Sequence, residues 1–207
     1  MRIKRPFFSA ACFLAFLAVI VATVLPTFVR VSYRMATFDP QNATYPLSDC
    51  ARLGTPPMVT LRHGKYATPG ANPAEPFNIE ISLQRVLHVV RGDTKIEIAE
   101  LSCAPWGANY ALQEWFFVGK NGYMFDRLDE QRLNSDYADA YPGEGNIWAG
   151  TEDVRIEKNQ VLVVTALAGG SHASSKWSAT LRYRLNTDNR LELLGAVTRT
   201  ALPTRIM

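Results

Sequence analysis

The chain has 207 residues, 47% of them apolar and 20% charged, which describes one globular domain plus a short appendage and excludes a disordered chain. Its net charge of +3 hints at nucleic acid, but the location of the charge removes the hint. Arg2, Lys4, Arg5, Arg30 and Arg34 flank one hydrophobic segment, and from Met35 onward 17 basic side chains face 19 acidic ones, a formal charge of −2. A near-neutral domain has no electrostatic footprint for a phosphate backbone, so no nucleic-acid partner is expected.

Residues 1–5 read as a cytoplasmic tail. Residues 6–29 hold no charged side chain, and their 24 positions exceed the roughly 20 needed to cross a bilayer as a helix. Pro6 suits a helix start and Pro26 a kink or stop. The competing readings are a cleaved signal peptide and a lipoprotein attached at Cys12. A signal core is shorter and needs a small-x-small site, which Arg34-Met35-Ala36 does not supply. Three cations precede the segment and two follow it, which orients the N-terminus inside and the rest of the chain outside. The expected location is therefore a single-pass signal-anchor in a membrane, with a periplasmic or otherwise extracytoplasmic domain.

Residues 30–57 read as an extended, proline-punctuated lead-in, and 58–207 as the globular domain. Cys50 and Cys103 are the two cysteines outside the apolar segment. An even pair in an exported domain predicts a disulfide, and neither cysteine has the CxxC or histidine neighbours of a zinc site. A short strand is expected at 58–62. Ile79, Leu83, Val86, Leu87 and Val90 recur at helical spacing, with Asn78 as N-cap and Gly92 beyond the end, which predicts a helix over 79–91. The alternation of Ile79, Ile81 and Leu83 leaves a strand as the alternative.

From Lys95 the pattern is β. Strands are expected at 95–102, then at 113–118 and 123–126 around an Asn121-Gly122 turn, at 154–157 and 161–167, and at 177–185 and 191–197. In 178–185, Ala179, Leu181, Tyr183 and Leu185 share one face and polar residues share the other, the pattern of a half-buried antiparallel strand. Trp115 and Phe117 should face one way and Phe116 the other. The fold class is therefore α+β: a transmembrane helix followed by a mainly antiparallel meander with about one packed helix. Residues 127–152 interrupt the strands as a solvated acidic crossover, with a helical turn at 128–133.

Chemistry is sparse. Of the three histidines, His63, His88 and His172, only His172 lies beside other reactive types, in the loop that carries Ser171 and Lys176. Proximity in sequence is not triad geometry, and there is no G-x-S-x-G elbow. Phosphate-binding glycine motifs and calcium-loop spacing are also missing from the sequence, so no metal or cofactor is expected. The expectation is a non-enzymatic membrane-anchored protein that binds another protein or an envelope component. Ser171, His172, Lys176, Tyr137, Tyr141 and Trp148 are the candidate partner-binding residues. Two alternatives are an inhibitor or immunity-type protein against an envelope-acting enzyme, and a membrane-tethered hydrolase using Ser171, His172 and Lys176.

Overall fold

A computed structural model describes residues 38–72, 75–91, 94–157, 161–170 and 175–203. The expected membrane segment, 6–29, lies outside them. Among the described residues no helix is long and apolar enough to cross a membrane.

The described chain is mostly antiparallel sheet with two helices. β1 (Thr44–Pro46) pairs with β2 (Met58–Thr60), and the short helix α1 (Asp49–Arg52) lies between them. The first large sheet is a meander of β3 (Lys65–Asn72), β4 (Glu75–Arg91), β5 (Thr94–Pro105), β6 (Leu112–Gly119) and β7 (Met124–Leu128), paired in that order. Helix α2 (Glu130–Ala140) then leads to the second sheet: β8 (Ile147–Glu157), β9 (Val161–Ala168) and β10 (Trp177–Leu185) in sequence order. β11 (Leu191–Leu193) and β12 (Thr198–Ala201) share the far side of β10, one at each of its ends. The strand expected over 191–197 thus stops at Leu193, before Gly195, which has a φ of 73°.

The expected helix at 79–91 is instead part of β4, a 17-residue strand. A β-bulge explains why the sequence misleads. Leu83 pairs with Leu101, but Arg85 pairs with Glu100, so Gln84 is an extra residue. Before it, Ile79 and Ile81 point to one face of the sheet; after it, Leu87 and Val89 point to the other. Two period-2 patterns spliced out of phase leave apolar residues three and four apart, which imitates a helix.

Both faces of the first sheet are covered. Phe116 and Val118 pack with Ile81, Leu101 and Cys103 against Tyr45, Leu47, Cys50, Val59 and Leu61. The stretch read as an extended lead-in thus contributes buried side chains to a core of its own. Trp115 and Phe117 point the other way, into a second core shared with Leu133 and Tyr137 of α2 and with Leu162, Val164, Leu181 and Tyr183 of the second sheet. The strict alternation of Trp115, Phe116 and Phe117 between these cores follows the pleat, as expected. Ala179, Leu181 and Tyr183 are likewise buried, while Arg184 on the opposite face of β10 is exposed.

The acidic crossover also differs from expectation. It holds an 11-residue helix, not a single turn. Asp129 caps it, accepting the Arg132 N–H at 3.0 Å, and Asp49 of α1 accepts the N–H groups of Glu130 at 2.6 Å and Gln131 at 3.3 Å. Two carboxylates thus satisfy three donors of the first turn, which an isolated helix would leave unpaired. At the edges of the two sheets, Asp126 of β7 accepts the Leu191 N–H at 2.7 Å.

Candidate functional site

The C-terminal end of α2 brings two of the expected residues together. Tyr137 is fully buried, and the Tyr141 ring lies 5.3 Å from it, tilted by 45°. The Tyr141 hydroxyl donates to the Val197 carbonyl at 3.0 Å, which ties the helix end to the segment leading into β12.

Arg199 of β12 completes the cluster. It pairs in register with Ala179 of β10, so it shares the inward face of the sheet, opposite a small residue that leaves room for it. Its guanidinium lies 4.1 Å from the ring centroids of both Tyr141 and Trp177. A cation within reach of two aromatic ring faces is a favourable arrangement. Glu144 brings a carboxylate oxygen to 3.4 Å from Arg199 Nη1. An inward-pointing charge on a short edge strand also hinders edge-to-edge pairing with another chain.

The backbone beneath is glycine-built for a reason. At Gly169, whose φ is 74°, an added Cβ would come within 2.8 Å of the Trp177 ring. The Gly169 N–H donates to the Asn146 carbonyl at 2.9 Å, joining this corner to the segment that follows α2.

Arg199 meets the Tyr137 hydroxyl as well as Glu144, and both hold its pKa above the ordinary value, which leaves the Trp177 indole N–H as the buried polar group of this cluster without a hydrogen-bond partner among the described residues. A buried donor left unpaired costs about 1–3 kcal/mol, so the Trp177 indole is a local demand for an acceptor. Lys176 stands next to the cluster, exposed, with its backbone N–H bonded to the carbonyls of Ala168 and Gly169, both at 3.1 Å. Ser171 and His172 lie outside the described residues. Trp148 belongs to β8, with its side chain outside the description. His88 and His63 are exposed: His88 Nδ1 lies 3.9 Å from Glu97, and His63 sits at a φ of 53° in the turn before Gly64.

Sequence reasoning missed Trp177, Arg199, Glu144 and Gly169. The available signal was an arginine within an otherwise small and polar strand, but its inward direction depends on β12 pairing with β10.

The buried carboxylates lie elsewhere and are spent on structure. Cys50 and Cys103 form the expected disulfide, with Cα atoms 5.8 Å apart. Beside it, Glu114 accepts the Cys50 N–H at 2.8 Å and the Ser48 N–H at 3.1 Å with each oxygen. Burial raises the Glu114 pKa above its ordinary value, against the lowering effect of those N–H groups. Cys50, Cys103 and Glu114 are the one grouping of potential metal ligands with suitable spacing among the described residues. With the two sulfurs bonded to each other, that grouping offers a single carboxylate and does not fit a metal ion. Comparison of the chain with protein-family models, with curated proteins and with solved structures returns no match in any of the three.

Proposed function

We propose that this chain is a membrane-anchored extracytoplasmic binding protein, tethered through residues 6–29, whose working face is the corner formed by Tyr141, Trp177, Lys176 and Arg199. The observation that carries this reading is the packing of the Arg199 guanidinium over the Tyr141 and Trp177 rings beside the exposed Lys176, with the Trp177 indole N–H left unpaired. An acidic side chain of a protein partner complements the cationic pair of Lys176 and Arg199 and offers the Trp177 indole an acceptor. Aromatic and arginine side chains of this kind anchor protein interfaces. The disulfide supports the oxidising address. The carboxylates with the deepest burial cap helices and backbone, so none of them stands ready as an acid or base.

The test is site-specific photo-crosslinking in the living cell. A photoreactive residue in place of Lys176 should capture a discrete partner, and the same residue in place of Lys120, in the β6–β7 turn, should not. Arg199→Ala should abolish the Lys176 adduct. An adduct at both positions, no adduct at either, or one indifferent to Arg199, overturns the reading.

A further inference from the structure

A second place in the fold has the chemistry of a small-molecule site. Between the two large sheets lies a cavity of about 160 Å³, walled by Val89, Ile98, Phe117 and Leu162 with the Tyr183 ring, and reached by Arg91. The Tyr183 hydroxyl is already committed to Asp136 at 2.7 Å, on the α2 side, so the ring presents only carbon to this space.

Arg91 is on the cavity side because of the bulge at Gln84. Past that extra residue, Leu87 and Val89 turn toward the second sheet, and Arg91 follows them by alternation. Its guanidinium crosses to the β10–β11 turn, where Nη1 donates to Asn189 Oδ1 at 2.6 Å and Nη2 to the Thr187 carbonyl at 3.1 Å. Both acceptors are neutral. Among the described residues no carboxylate forms an ion pair with it, whereas Arg85, Arg127, Arg132, Arg155, Arg184 and Arg190 each have one. A cation held by neutral acceptors and by no carboxylate among the described residues, at a largely apolar cavity, is matched by one kind of ligand: an apolar group that ends in an anion.

We propose that this cavity binds a small amphipathic anion, a chain or ring of about six carbons, with its carboxylate or phosphate held by Arg91 in place of the Asn189 side chain. The site is separate from the Arg199 corner and does not depend on the partner-binding reading.

The test uses the full chain in nanodiscs, with Ile, Leu and Val methyl groups labelled for NMR. Hexanoate and hexyl phosphate are titrated, with hexan-1-ol as the neutral counterpart of the same length. At least one anion should shift the Val89, Ile98 and Leu162 methyls, and should bind about tenfold or more tightly than the alcohol, the worth of a charge-assisted hydrogen bond. Arg91→Gln should remove that preference, while leaving alcohol binding unchanged, and Arg91→Lys should retain it. No shift with either anion, equal binding of anion and alcohol, or an anion preference that survives Arg91→Gln overturns the proposal. Should Arg91→Gln fail to fold, the anion–alcohol comparison in the native chain together with Arg91→Lys still decides: a preference in both supports the site, and its absence from either refutes it.

Discussion

Glu114 holds its carboxylate against the backbone of Cys50, accepting that residue's N–H at 2.8 Å on the buried side of the disulfide. One side chain of β6 therefore caps α1, and the neighbouring cystine fixes the same turn covalently to β5. Burial is the first cause of the raised Glu114 pKa, and its sign sets a pH dependence. The folded chain keeps a proton that the unfolded chain releases above the ordinary value of 4.5. Stability from this group is therefore fully present below that value and lost as pH rises through the folded-state pKa. Glu114→Gln removes the titration. Its stability relative to the native chain, read from urea midpoints across pH, should be poorest in acid and should improve toward neutrality. A difference independent of pH would contradict the assignment.

Closing a loop of 53 residues should restrict the unfolded chain by about 4 kcal/mol on the entropy model. Replacing Cys50 and Cys103 together by alanine should lower unfolding stability by an amount of that order. Loss should begin in the layer that the disulfide pins. Limited proteolysis should cut first within 43–61, while β8, β9 and β10 remain protected. Simultaneous cleavage of both regions would show that the layer does not open separately.

The bulge at Gln84 gives a sharper contrast. Gln84 is exposed, so Gln84→Ala should change stability by less than about 0.5 kcal/mol. Deleting Gln84 should abolish the native fold, because Leu87 and Val89 would then point away from the core they now fill. Circular dichroism and urea titration of the two variants measure this; a stable deletion variant would refute the parity role.

Asp129 accepts from Arg132 N–H and from the Ser48 hydroxyl, the latter at 2.8 Å. Asp129→Ala should cost about 1–2 kcal/mol, the usual worth of a helix N-cap. Hydrogen exchange should speed at Arg132 ahead of the strands. Unchanged exchange there would deny Asp129 its capping role.

What the sequence revealed and what it concealed divide along the range of the determining contacts. The hairpins from Lys95 onward, and the opposed faces of Trp115 and Phe116, were legible because alternation and turn residues are local. β4 was illegible because its bulge hides two alternations inside one apparent helix. α2 was under-read because it buries only Leu133 and Tyr137, and part of its N-terminal capping comes from Asp49, about 80 residues earlier in the chain. At the candidate site, Tyr137 and Tyr141 stood out as aromatics among acids. Trp177 and Arg199 join them only once β12 pairs with β10, a register no local pattern encodes. Arg91 gains its inward direction from the same hidden bulge.

The proposal that the domain lies beyond a membrane, locked by one disulfide and still carrying its apolar segment, is tested most directly by counting thiols. Cells are quenched in acid, denatured, and treated with a polyethylene-glycol maleimide before and after reduction, and the chain is followed by its gel shift. One adduct before reduction, at Cys12, and three after it are the predicted result. Three adducts without reduction, or the absence of the Cys12 adduct, would contradict the account.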